Sequence, residues 1–167
     1  TDDGVAIWNE IPEQERRTTY TEKGREIVNA LITAKDHRNA LRVEASLSDT
    51  ERAIGQFSNP GFERDVDISK TSVFDWQIAD GTLPQIGIDT RQKHSGEKSL
   101  GIIFSKSSGK DFRSVSQTLA VENNSTYRFS VFINSEITTT GAIKIEIVDA
   151  ASGGVLATTK DIPHASG

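Results

Sequence analysis

The sequence predicts a mainly-β protein: an antiparallel β-sandwich preceded by an α-helical hairpin. Three observations carry this reading. Apolar residues before position 55 recur with a helical period. Those after position 58 recur with period two. Turn-forming clusters separate the alternating stretches at roughly ten-residue intervals, as in antiparallel sandwiches. The expected division is a helical segment over 1–55 and a sandwich over 57–167.

In the helical half, Pro12 followed by Glu13 and Glu15 reads as a helix start, with acids in the first turn. Ile27, Val28, Leu31 and Ile32 share one face, and Tyr20 and Gly24 extend it backwards. Asp36 is placed to cap a second helix carrying Ala40, Leu41, Val43, Ala45 and Leu47. Helices are therefore expected over 13–34 and 37–48, joined by a tight turn at Lys35-Asp36. One such hairpin has too little apolar surface to be stable alone. It must pack on the β half, on helices upstream, or on a partner.

In the β half, Gln85-Ile86-Gly87-Ile88-Asp89 is a short strand, and 99–105 is another with Leu100, Ile102 and Phe104 on one face. Val115, Gln117, Leu119 and Val121 alternate with Ser114, Ser116, Thr118 and Ala120. Tyr127, Phe129, Val131 and Ile133 alternate with Arg128, Ser130, Phe132 and Asn134. Ile143, Ile145 and Ile147 follow, and Val155-Leu156-Ala157-Thr158-Thr159 closes the series. The breaks at 107–110, 122–125 and 152–154 are rich in Ser, Asn and Gly, which is turn chemistry.

Composition narrows the function classes. Apolar residues are 35% and charged residues 26%, which suits a globular chain of one domain or one domain with an appendage. The net charge is -5, without a basic stripe, which argues against nucleic acid. No apolar run approaches the roughly 18–20 residues of a membrane span. Cys is absent, which removes disulfides, thiolate metal sites and a cysteine nucleophile. Met is absent too and the chain opens at Thr1, so a processed or partial chain is expected.

Three stretches carry a resemblance. Asn59-Pro60-Gly61-Phe62-Glu63, the Phe74-Asp75-Trp76-Gln77-Ile78 segment and His94-Ser95-Gly96-Glu97-Lys98-Ser99-Leu100 resemble the opening of carbohydrate-binding modules with a galactose-binding-like jelly roll. The run 112–121 and Tyr127-Arg128-Phe129 continue the likeness, which covers about residues 57–160. Gly24 to Leu31 and Arg38 to Val43 look like the last tetratricopeptide-like helical pair that precedes such a domain in bacterial exported proteins. The family continues with a Trp-containing strand and a final Asp-bearing strand, whereas this sequence stops at Gly167. An open sheet edge is therefore expected, covered by missing residues or by a partner, with missing residues favoured.

The resemblance also supplies candidate sites. Trp76 is the sugar-stacking candidate, against the reading that it plugs the core beside Phe62 and Phe74. Arg113, Gln117 and Tyr127 could present polar groups on a sheet face, although the opposite phase of Ser114, Ser116 and Thr118 is equally polar. Glu63 and the backbone carbonyl of Lys93 look like the family's structural calcium site, which needs about six to eight oxygens. Its expected Asp from the last strand is absent from this chain. No other cofactor is expected. His37, His94 and His164 lack metal-ligand spacing, and Asp65 and Asp67 lack the glycine and closing Glu of a calcium loop.

The expected role is a non-catalytic, extracytoplasmic interaction or structural subunit of a bacterium, periplasmic or extracellular. It would dock onto a larger protein assembly through its helices and sandwich. The alternative is a carbohydrate-binding module that recognises a cell-surface or extracellular polysaccharide. Association with a membrane would come through a partner or a removed N-terminal segment.

Overall fold

The computed structural model describes residues 2–66, 72–104, 113–136 and 143–162. Four helices come first: α1 (Asp2–Glu10), α2 (Glu13–Thr18), α3 (Thr21–Thr33) and α4 (His37–Ala45). Six short strands follow: β1 (Gln77–Ile78), β2 (Gln85–Asp89), β3 (Ser99–Ile103), β4 (Val115–Ser116), β5 (Glu146–Val148) and β6 (Val155–Thr158). Among the described residues, no helix is long and apolar enough to cross a membrane.

The first helix lies outside the expected pair. It forms because Val5 and Trp8, one turn apart, bury together, and the Trp8 indole N–H donates to Ser46 Oγ at 2.9 Å. The single helix expected over 13–34 is two, broken at Thr19-Tyr20. Here Thr18 Oγ1 donates to Gln14 O at 2.8 Å and Thr21 Oγ1 to Arg17 O at 2.8 Å. Such hydroxyls compete with the helical ladder, and β-branched residues are weak helix formers. The turn at Lys35 is as tight as expected. Lys35 is left-handed (φ 63), while Lys35 N–H and Asp36 N–H close the end of α3 onto Ile32 O and Leu31 O. The Asp36 carboxylate then caps α4, accepting from Asn39 N–H at 3.2 Å. That helix stops at Ala45 rather than 48, where Ser46 Oγ turns back to Val43 O at 2.6 Å.

Among the described residues the buried core is Val5, Trp8, Val28, Leu31, Ala40, Leu41, Val43, Phe74 and Ala120. Seven of these nine lie on helices. Only Phe74 and Ala120 come from the β half, and they seat it against α4. Gly24 permits close packing inside this core, since a Cβ there would lie 2.8 and 2.9 Å from two ring carbons of Trp8.

The β half consists of three two-stranded antiparallel sheets, β1–β4, β2–β3 and β5–β6. The β2–β3 pairing matches Gln85 with Ile103 through Asp89 with Ser99. Backbone bonds from Ala79 N–H to Ser114 O and from Thr118 N–H to Val73 O extend the β1–β4 contact at both ends. The chain therefore has the antiparallel β structure expected after the helices, but the described residues do not close into one sandwich. The stretch 127–133, expected as an alternating strand, is exposed on both phases and belongs to no ladder among the described residues. Alternation dictates an extended backbone; it does not choose the neighbouring strand. The expected turn at 107–110 lies outside the described residues. Those at 122–125 and 152–154 form, with Asn124 (φ 57) and Gly153 (φ 73) left-handed.

Candidate functional site

Of the residues singled out in the sequence, Trp76 lies in an aromatic stack, and the others bond to separate loops. Asn59 opens its loop in a left-handed conformation (φ 50), and its side chain closes it: Nδ2 donates to Arg64 O at 2.8 Å and Oδ1 accepts from Arg64 N–H at 3.1 Å. Above this ring sits Trp76. Its indole stacks on Phe62 (centroids 5.0 Å apart) and on Phe57 (5.4 Å), and Phe57 in turn leans on Phe129 at 5.6 Å. Its N–H donates to Asn59 O at 3.0 Å. Trp76 is thus half-buried and packed between Phe62 and Phe57, beside one of the two rings expected and outside the buried core.

Gln117 shows the same logic in a side chain. Its Oε1 accepts from Ser58 N–H at 3.1 Å, and its Nε2 donates to Ser58 O at 3.0 Å. A carboxamide carries a donor and an acceptor side by side, as a peptide unit does, so one side chain pairs with the backbone as a strand would. Arg113 Nε donates to Ala79 O at 2.8 Å. The Tyr127 hydroxyl accepts from Glu122 N–H at 2.8 Å, and its ring fills the space that a Cβ on Gly55 would take. Burial does not separate the two phases: Val115, Gln117 and Leu119 are half-buried and Ser114 and Ser116 face solvent, but Thr118 is half-buried and Ala120 buried.

Glu63 accepts from backbone donors of the β2–β3 turn. Glu97 N–H lies 3.1 and 3.2 Å from its two oxygens, and Lys98 N–H lies 3.4 Å from Oε1. Gly96 (φ 69) makes room, because a Cβ there would overlap the carboxylate. Lys98 Nζ meets Asp65 at 3.2 Å, and Lys93 Nζ donates to Thr90 O at 3.2 Å. The Glu63 carboxylate is therefore engaged within the protein, whereas the Lys93 bond is made by its side chain and not by the backbone carbonyl expected as a ligand. Among the described residues no three His, Cys, Asp or Glu gather as metal ligands. Asp67 and His164 lie outside the described residues, and His37 and His94 stand on separate elements.

The strongest electrostatic unit joins the two halves. Arg52, 6% exposed at its side chain, binds Asp75 with both terminal nitrogens at 2.9 Å and lies 3.8 Å from Glu44. Ser58 Oγ donates to Asp75 at 3.0 Å. Burial opposes ionisation of Asp75. The hydrogen bond and charge of Arg52, the Ser58 hydroxyl and the charge of Arg64 outweigh it, and hold the carboxyl below its ordinary 3.8. Asp89 and Asp149 are also lowered, chiefly by Arg91 N–H and the Ser152 hydroxyl respectively, as expected of turn carboxylates.

What the sequence did not single out is the exposed apolar surface. Phe132 is 72% exposed and Leu156 70%, and Val131, Ile133, Ile147, Val148 and Val155 are also exposed. Phe132 stacks on His94, rings 3.6 Å apart and 9° from parallel. The β5–β6 hairpin pairs with no other strand among the described residues. Soluble monomers rarely leave so many large apolar side chains in water. A signal was present: Phe132 puts an aromatic into the polar phase of its segment, making it apolar on both faces. No family model, curated protein or solved structure matches the chain.

Proposed function

We propose that this protein is a non-catalytic interaction or structural subunit, working in a bacterial periplasm or outside the cell. It docks onto a larger protein assembly through its helices and through a β half of galactose-binding-like jelly-roll type. The observation that carries this reading is the exposed apolar set on 127–133 and the β5–β6 hairpin. Burying such side chains against a partner contributes about 25 cal/mol per Å² of apolar surface removed from water. Ile7, 64% exposed on α1, gives the helical end a similar contact. A non-catalytic role fits the polar side chains around Trp76, which hold the protein's own backbone rather than converge on an open cleft.

The test is native purification of the chain, with and without the paired changes Phe132→Ser and Leu156→Ser. A stoichiometric companion protein lost from the double variant, whose thermal midpoint is unchanged, supports the reading. A monomeric wild type without a companion, or a companion that both forms retain equally, sinks it.

A second reading, a polysaccharide-binding module, draws on the open ring of Phe132 beside His94, a flat apolar platform of the kind sugar rings stack upon. Affinity electrophoresis in polysaccharide gels separates the two. Retardation abolished by Phe132→Ala favours the module, and no retardation in any gel counts against it.

A further inference from the structure

Among the described residues, the joint between helices and β half contains a buried side-chain nitrogen without a protein partner. The terminal nitrogens of Arg52 are taken by Asp75, but its Nε–H is buried and has no protein acceptor. An N–H left so would cost about 1–3 kcal/mol. Arg52 also lines a cavity of about 10 Å³ between α4, the 52–58 linker and the continuation of β4. Its apolar walls are Leu41, Phe74 and Leu119. Its polar ones include Ser58, Thr118 and Gln56, the last exposed to solvent where the cavity is partly open.

That volume is about one water molecule, and a buried water needs two to four polar partners to be held. An empty cavity of this size is stable only where its lining is apolar, and this lining is not. We propose that the cavity is a binding site for one resident water. The water accepts from Arg52 Nε–H and donates to the Thr118 hydroxyl and the Gln56 amide oxygen. Ser58 Oγ is the less suited acceptor, because it already donates to Asp75 and accepts from Arg64 at 3.3 Å. The water gives the Arg52 Nε–H its acceptor, so the joint is closed by a wet contact beside the Asp75 pair.

The site is tested first on the wild-type protein. Water-to-protein nuclear Overhauser cross-peaks at the Ala53 and Ala120 methyls, which also line the cavity, are expected with the sign of a long-lived water. Their absence overturns the proposal. A second measurement fills the cavity by Ala120→Val in the wild-type and Arg52→Lys backgrounds. Lysine has no Nε–H to strand. The unfolding equilibrium should therefore shift about five- to 150-fold further with Arg52 than with lysine. Equal shifts in the two backgrounds would mean a dry cavity and refute it. If the lysine form does not fold, the wild-type cross-peaks decide alone.

Discussion

Replacing Gly24 with alanine should destabilise the protein, although alanine is the better helix former. Gly24 is buried in the first turn of α3, and its missing side chain is what lets Trp8 of α1 approach. The new Cβ would meet Leu47 Cδ2 and two Trp8 ring carbons at 2.8 and 2.9 Å. The Leu47 methyl can swing aside. The indole cannot, being 2% exposed and tied to Ser46 at 2.9 Å. Glycine to alanine in a helix interior gains about 1 kcal/mol. Forcing an atom into a packed core costs about 1–3 kcal/mol. The expected net loss is about 1 kcal/mol, or about 2–4 °C in the thermal midpoint for a chain of this size. Gly4 is the control. It lies on α1 and a Cβ there meets nothing within 4 Å, so Gly4→Ala should gain up to about 1 kcal/mol. Thermal unfolding followed by far-ultraviolet circular dichroism reads the two signs. A Gly24→Ala protein that is stabilised as Gly4→Ala is would refute the seating of α1 through this glycine. In a Trp8→Leu background the sign at Gly24 should reverse, because the rigid ring is gone.

Other perturbations follow from the same contacts. Asp75→Asn leaves the buried Arg52 with Glu44 at 3.8 Å as its nearest carboxylate, and urea unfolding should show a loss of about 1–3 kcal/mol; a loss below about 1 would mean the pair is solvated. Because Asp75 titrates below its ordinary 3.8 in the folded protein, its contribution is complete above that pH and disappears as pH falls through the lower folded value. Urea midpoints should therefore drop between pH 4 and pH 2 by more in the wild type than in Asp75→Asn, and parallel drops would contradict the assignment. Gln117→Ala strands the Ser58 N–H and C=O and should lower stability by about 2 kcal/mol, with hydrogen exchange at Ser58 accelerated; unchanged exchange there would disprove the pairing. Gly96→Ala should cost about 1–2 kcal/mol for the left-handed backbone plus the clash with Glu63, and less in a Glu63→Ala background. Equal penalties in the two backgrounds would show that the carboxylate does not sit over Gly96.

Much of the fold was legible where a local rule acts alone. The Asp36 cap, the turn at Lys35 and the strand at Gln85–Asp89 each follow from a few adjacent residues, and each is where the sequence put it. The break at Thr19-Tyr20 was not foreseen, because apolar spacing runs across it and only the threonine hydroxyls interrupt the ladder. α1 escaped because its two core residues, Val5 and Trp8, are too few to establish a period. The site was less legible still. Arg113, Gln117, Tyr127, Trp76 and Glu63 have the chemistry to hold a ligand. Whether that chemistry faces outward or holds a backbone depends on residues 5 to 59 positions away. Glu63 illustrates this, since its donors come from a turn more than 30 residues later. Phe132 had the opposite fate, because a lone aromatic among polar neighbours reads as noise unless the apolar phase beside it is counted too.

The concentration of the core in the helices bears on how this surface can change over generations. Val28, Leu31, Leu41 and Val43 carry the burial, whereas Phe132, Val131 and Leu156 contribute almost none. Substitutions at the exposed positions leave the packed cluster intact, so they alter what the surface sticks to with little penalty to folding. Descendants of one ancestral chain could thus diverge in their attachments while keeping one scaffold. A deep collection of variants sorted for folding alone should tolerate almost any residue at 132 and 156, and very few at 31 and 43.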